Sequence, residues 1–387
     1  MTLSTSPNPP YQMLQGTRLG GLSVDILACV FARSRQHYTI DLLPWARAVE
    51  AIKQGESDGV FTTIAMPELD KVARLSDPLA LEKWYWFHRA DTDLNNIQRL
   101  RIAGIRGSNE LQWLRANGYP VSMQVNTLQQ LVYLLKNHRI DLFLADKKTV
   151  ENKLQKLDWH ASTFRADFSA YRPLGVYFSN RFLNRNTGFL HTFNQEISPC
   201  LKQPMALDDA EQIKVKRWLS ESLLPRLPMD DIRRALRHYN AEYESLSVAE
   251  RDQADQQWVR DYALIRNGEA AAGSRLAEVS SRDLSARLAQ IQAGTGHIVS
   301  ELFVTGKTGI SVAHSAPTSD FYHGDERPFT DVMSQPEGRY IGPIQYDASS
   351  QRFQVKVGLR IDDTTTSETQ GVIFVGIDVE QALKVSH

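Results

Sequence analysis

The sequence predicts a two-lobed α/β half, a helical connector and an α+β half, in that order. Three observations carry this. Short apolar runs alternate with helical patterns over the first 90 residues, and the alternation restarts near residue 100. Two prolines interrupt the pattern in PRLPMDD, residues 225–231. From Val299 the apolar period changes to that of strands separated by Gly, Asp and Ser turns. At 387 residues the chain exceeds one ordinary core, so two or three domains are expected.

Taken in order, MTLSTSPNPPY opens as a first strand, and Leu22–Arg33 spaces its apolar residues as a helix does. Tyr38–Leu43 reads as a strand. Ala46–Gln54 reads as a helix closed by Gly55, since glycine tolerates positive φ. Gly59–Thr63 reads as a buried strand. In the second round RIAGI, VSMQV and IDLFLAD are strands, with helices at Asn109–Ala116 and Leu128–Asn137 between them. Leu174–Ser179 is a further strand, and helices follow over about 187–198 and 208–223. The expected division is a first module over 1–224, with lobe 1 at about 1–92 and 181–224 and lobe 2 at about 93–180. A second module over 225–387 begins with helices across 230–295 and continues as ELFVTG, ISVAHS, RYIGPIQYD, FQVKVGLRI and GVIFVGIDV. Tandem α/β lobes place a ligand cleft between them, at the carboxyl ends of the strands.

Composition narrows the function. Hydrophobic residues at 42% and charged residues at 23% are ordinary globular values. A net charge of −1 without a dense Lys/Arg run removes the drive toward nucleic acid. No apolar run of about 18 residues is present, so the chain as given has no membrane-spanning helix. No signal peptide is visible, and a removed export signal is expected. Cys29 sits in the apolar run ILACVF and reads as a small buried hydrophobe, with pairing to Cys200 left open. Walker A, GxGxxG, HExxH, CxxC and GxSxG patterns are missing, and the ten His are scattered. No catalytic residue, cofactor or metal is expected.

Residues 3 to about 224 resemble the type II periplasmic solute-binding proteins, in particular the polar amino-acid-binding family. The resemblance rests on PNPPYQM at 7–13, GGLSVDILACVFAR at 20–33, YTIDLLPWARAVEAIKQGESDGVFTT at 38–63, LSDPLA at 75–80, IAGIRGSNELQWL and RIDLFLAD. It implies a venus-flytrap fold with a ligand cleft lined by Tyr11, Trp45, Arg47, Thr62, Arg106, Ser108 and Asp146. Ser108 at a helix start suits an anionic group, and equally an N-cap. Asp146 matches the family aspartate that holds a ligand ammonium, and equally a turn aspartate. The family arginine that clamps a carboxylate falls here on Leu69, which donates no hydrogen bond. Ordinary α-amino acids are therefore expected to bind poorly unless Arg47 or Arg106 substitutes.

Residues 240–383 resemble the Cache (PDC-type) sensor domains, most specifically through ELFVTGKTGISVAHSAPTSDFYHGDERPF at 301–329. That resemblance implies a pocket involving Asp320, Tyr322, Asp325 and Tyr346, although such Asp and Ser also fix turns. Together the two resemblances imply a periplasmic or extracytoplasmic sensor of a small solute. Its expected partner is a membrane sensor kinase, cyclase or chemoreceptor. A transport receptor serving a permease is the alternative, and an enzyme on the solute-binding fold the third reading.

Overall fold

The computed structural model describes residues 1–154, 164–201, 205–269, 271, 273–347 and 352–385. Its chain divides into two compact units, Met1–Pro204 and Met205–His387.

In the first unit, one lobe holds the parallel strands Thr39–Leu42, Thr2–Thr5 and Gly59–Thr63, side by side in that order. The other lobe holds Leu142–Asp146, Ile102–Ile105 and Val121–Val125, also parallel. Two long antiparallel strands, Ala80–Arg89 and Phe164–Ser179, run between the lobes and join everything into one nine-stranded sheet. The run WYWF at 84–87 thus belongs to a connecting strand. Leu174–Ser179 is only the end of a strand that begins at Phe164. The pairing of the two connectors shifts register between Phe168 and Ala170, a bulge that bends the strand there.

Local chemistry explains the helix ends. Gly55 adopts φ 74° at the C-cap of Trp45–Gln54. Thr127 and Gln130 form a reciprocal capping box on Leu128–Lys136. Gly21 is required on two counts: its φ is +121°, and a Cβ there would lie 2.6 Å from the Tyr11 carbonyl oxygen. That approach lets the Leu22 and Ser23 amides donate to the carbonyls of Pro10 and Tyr11, so the PNPPYQM loop is tied to the start of Leu22–Arg33.

Cys29 is not a free buried hydrophobe. It forms a disulfide with Cys200, across a Cα–Cα distance of 5.7 Å and a sequence separation of 171. The reason is tertiary: the helices Leu22–Arg33 and Phe189–Cys200 pack side by side over one core with Phe31, Phe178 and Phe193.

The second unit has a five-stranded antiparallel sheet in the order Ser311–His314, Val299–Gly306, Thr369–Asp378, Arg352–Asp362, Arg339–Asp347. The helical stretch before it is four helices, Met229–Tyr243, Val248–Arg266, Arg275–Ser281 and Asp283–Ala293. Serine caps restart two of them, Ser247 and Ser274. The unit begins ahead of the prolines at 225 and 228, because the helix Asp209–Trp218 packs on the C-terminal helix Val379–Val385. The Ile344 amide also donates to the Met205 carbonyl at 2.5 Å. Among the described residues no helix is long and apolar enough to cross a membrane.

Candidate functional site

The PNPPYQM loop, one connecting strand and two helix starts of the second lobe converge on three carboxyl groups: Glu82, Glu110 and Asp146. Asp146 ends the strand Leu142–Asp146 and is 3% exposed. It accepts the Lys83 amide at 2.9 Å, the Thr149 amide at 3.0 Å and the Thr149 hydroxyl at 2.8 Å. The Tyr11 phenol lies near enough for the two groups to influence each other electrostatically. Its cap on the following helix is thus satisfied, and it still faces the first-lobe loop. Burial raises its pKa against the pull of these hydrogen bonds.

Glu82 lies on the strand Ala80–Arg89, cross-strand from Arg172. It is buried, accepting Asn8 Nδ2 at 3.2 Å and Trp84 Nε1 at 2.8 Å. Burial first, then the charges of Glu110 and Asp146, hold its pKa well above the usual carboxyl value. Glu110 is half-buried in the first turn of Asn109–Ala116. Burial pushes its pKa up, and hydrogen bonds from its own amide, the Ser108 side chain and the Asp146 amide only partly offset this. Ser108 also caps the helix, accepting the Leu111 amide at 3.2 Å. Tyr11 is 2% exposed and donates to the Leu81 carbonyl at 3.2 Å; burial, then Asp146 and Glu82, raise its pKa well above the ordinary phenol.

Aromatic rings border this acidic trio. Trp84 and Trp113 meet edge to face at 5.8 Å, and Trp113 lies 5.4 Å from Tyr119. The Arg172 guanidinium sits 5.1 Å from the centroids of both Trp84 and Trp113. The pair, with Trp84 fully buried, therefore already holds the chain's own Arg172 against its ring faces. Among the described residues no group of three or more His, Cys, Asp and Glu is arranged to hold a metal ion. The chemistry on offer is acceptance of charged donors together with proton exchange.

Of the sequence candidates in this unit, Tyr11 and Asp146 both lie near Glu82, and Ser108 caps the helix that carries Glu110. Glu82 and Glu110 were missed; the only available signal was their position, one beside WYWF and one two residues after Ser108. Arg47 and Arg106 are exposed, and neither side chain makes an ion pair or hydrogen bond among the described residues. Trp45 is half-buried against Ala48, Met66 and Leu69, with its Nε1 lacking a partner. Thr62 is buried at φ 61°, with an unpartnered hydroxyl. Leu69 is fully buried in that same cluster. Nearby, the Tyr177 hydroxyl receives the Met66 amide at 2.8 Å and bonds Asp70 Oδ1 at 2.5 Å. Leu69, which the sequence resemblance sets at the clamp position, is thus a core residue.

In the second unit, Asp255 accepts the Phe321 and Tyr322 amides at 2.9 Å each, and Arg251 stacks 3.9 Å over the Tyr322 ring. Gly309 and Gly324 explain two glycines of the TGKTG and HGDE runs: a Cβ on Gly309 would lie 2.4 Å from the Gly324 backbone. Asp320 accepts the hydroxyl of neighbouring Ser319 at 2.5 Å, and Asp325 is exposed. Tyr322 bridges to Ile310 beside one edge strand, whereas Tyr346 lies on the opposite edge strand against Phe353. Asp320, Tyr322 and Asp325 share a loop, and Tyr346 is remote from it in sheet order.

No protein-family model matches the chain, and no curated protein matches it. Solved structures similar to it include a histidine kinase sensor domain with similarity to periplasmic binding proteins, at 15% identity and TM-score 0.44, covering 52% of this chain and 90% of that one. Another is the GluR0 ligand-binding core from Nostoc punctiforme with L-glutamate, at 15% identity and TM-score 0.42, covering 52% and 92%. A third is arginine-bound ArgBP from T. maritima, at 14% identity and TM-score 0.41, covering 51% and 94%.

Proposed function

We propose that the first unit is a solute-binding module of venus-flytrap type whose cleft takes a small organic cation, and that the chain senses this solute outside the cytoplasm. The observation that carries the reading is the acidic trio, held between the loop of one lobe and the helix starts of the other. Three ionised carboxylates this close repel one another, and a cation relieves the repulsion. Since burial raises all three pKa values, cation binding expels protons, and affinity rises with pH through the raised range. The Cys29–Cys200 disulfide supports an oxidising, extracytoplasmic setting.

The second unit reads as a Cache-type sensor, supported by leading helices followed by an antiparallel sheet with the last strand central. Its output goes to a membrane kinase, cyclase or chemoreceptor. Neither unit is assigned a catalytic role. With Leu69 in the core, a bidentate grip on an α-carboxylate has no donor at that position.

Calorimetric titration of the whole chain with agmatine, putrescine, arginine and glutamate tests the first-unit reading. Agmatine or putrescine should bind more tightly than glutamate, with a heat that depends on buffer ionisation, and Asp146→Asn should weaken binding about tenfold or more. Preference for glutamate, or cation binding untouched by Asp146→Asn, would sink it.

A further inference from the structure

We propose that the second unit carries a small-molecule site of its own, which takes an organic monoanion with an apolar body. The site is a cavity of about 400 Å³. It is bounded by the helix Asp209–Trp218, the turn Leu219–Leu223, the helix Arg327–Ser334 and the strands Arg339–Asp347 and Arg352–Asp362. That volume lies in the range of small-ligand pockets. None of Asp320, Tyr322, Asp325 and Tyr346 lines it, so it is separate from the loop cluster described above.

The lining sorts into an apolar wall and a charged rim. Leu219, Leu224, Ile341, Val357 and Leu359 make the wall, which suits a hydrocarbon or aromatic body. On the rim Arg327 is paired with Asp331 at 3.2 Å, so those charges are mutually spent. Lys216 and Arg339 also line the cavity, and neither side chain has an ion-pair or hydrogen-bond partner among the described residues. Glu337 is the one other carboxylate of the lining, which leaves the rim one positive charge in excess. The Tyr340 phenol also lines the cavity, and burial raises its pKa, so it remains a neutral donor. A monoanion meets two cations and a hydroxyl against the single Glu337 carboxylate, a net attraction; a cation meets net repulsion.

A second observation points to the same place. Leu219–Leu223 is a π-turn, closed by the Leu224 amide on the Leu219 carbonyl. Its residues Leu219 and Ser220 face the cavity. Such wide turns are rare, sacrifice regular helix bonds and concentrate at functional sites. This one widens the chain where the helix Asp209–Trp218 would otherwise run straight on.

The test is calorimetric titration of the whole chain with sodium octanoate, with octylamine as the reversed-charge control, and hydrogen exchange to locate the bound probe. Octanoate should bind, octylamine should not compete for it, and protection should rise in Asp209–Leu224 and Arg339–Asp347. Lys216→Ala and Arg339→Ala should each weaken octanoate about tenfold, and raised salt should weaken it further. Both side chains are exposed, so these variants keep the fold, which a thermal melt checks. Ile341→Trp fills the cavity and should abolish binding. The proposal is overturned if octanoate fails to bind, if its affinity is unchanged in Lys216→Ala/Arg339→Ala, or if protection rises only within Met1–Leu201.

Discussion

Reducing the disulfide, or replacing it by Cys29→Ala/Cys200→Ala, should remove a third or more of the stability margin of the first unit. The bond closes a loop of 171 residues in sequence separation. The chain-entropy relation for a cross-link of that length gives about 17 cal/mol/K, or about 5 kcal/mol at 25 °C. Few single contacts in a domain reach that size, and whole domains are stable by only about 5–15 kcal/mol. Placement adds weight to the length. The first lobe is assembled from two stretches, one ending near Arg89 and one resuming at Asn180, with the whole second lobe between them. The bond joins the helix Leu22–Arg33 of one stretch to Phe189–Cys200 of the other, so it shortens the search for the pairing that closes the lobe.

The assay is urea unfolding followed by tryptophan fluorescence, with and without a phosphine reductant. Trp45, Trp84, Trp86 and Trp113 report on the first unit, and Trp218 and Trp258 on the second. The two units give separate transitions to fit. Reduction should move the first transition to lower urea and steepen its slope, because the uncrosslinked denatured chain expands. The second transition should stay in place. Cys200 is 2% exposed, so truncation alone costs about 1 kcal/mol of packing, and the reductant result is the cleaner number. Two reactive thiols in the unreduced, urea-unfolded protein would refute the reasoning outright. So would a shift of the first transition worth less than about 1 kcal/mol.

Other outcomes follow from single sites. His314 is 2% exposed, and burial first, then Arg282, lower its pKa from 6.5 to about 4. As pH falls the unfolded chain takes up this proton first, so up to about 3 kcal/mol of stability held above pH 6.5 is lost on the way to pH 4. That slope should vanish in His314→Gln, and an NMR titration midpoint near 6.5 for His314 would contradict it. The acidic trio has the opposite sign: its raised pKa values contribute stability at low pH that is lost as pH rises through them, and Glu82→Gln should flatten that second slope in melts across the range. Tyr177→Phe should cost about 1–3 kcal/mol in denaturant, because it leaves the Met66 amide and Asp70 without the phenol. Gly309→Ala should destabilise the second unit by about 2 kcal/mol or more, since φ is +88° and the new Cβ meets Gly324 at 2.4 Å; an unchanged second transition would count against the close approach.

Periodicity made the long elements of the first unit legible. Asn109–Ala116 and Gly59–Thr63 fall where their apolar spacing puts them, because each buries one face against a sheet or lies wholly inside it. The strands of the second unit were equally readable, since turn residues punctuate them. What escaped has a physical cause in each case. A carboxylate on a strand reads as solvent-facing, so Glu82 gave no sign that the PNPPYQM loop would cover it. The disulfide depends on which helices pack, and spacing says nothing of contacts so distant along the chain. The helix Arg327–Ser334 follows a loop full of turn formers and is too short for its period to register. The surroundings of the acidic trio were half visible: Tyr11, Ser108 and Asp146 lie in motifs, whereas the exposure of Arg47 and Arg106 is decided by the path of the backbone around them.

The trio also bears on how binding becomes movement. Among the described residues the first-lobe loop meets the second lobe through the Thr149 hydroxyl, 3.3 Å from the Pro9 carbonyl, and through Tyr11, which packs in one core with Ile102, Leu114 and Leu142. Net hydrogen bonds of this kind contribute about 1 kcal/mol each, more where one partner is charged. On the proposed reading, a cation seated among carboxylates contributed by both lobes has the differential affinity that shifts an equilibrium between open and closed states. A solute that touched only one lobe would bind both states equally and move nothing. On that reading, Asp146→Asn should reduce ligand-driven closure, followed by small-angle scattering with and without agmatine, more than Arg47→Ala or Arg106→Ala does; equal closure in Asp146→Asn would refute it.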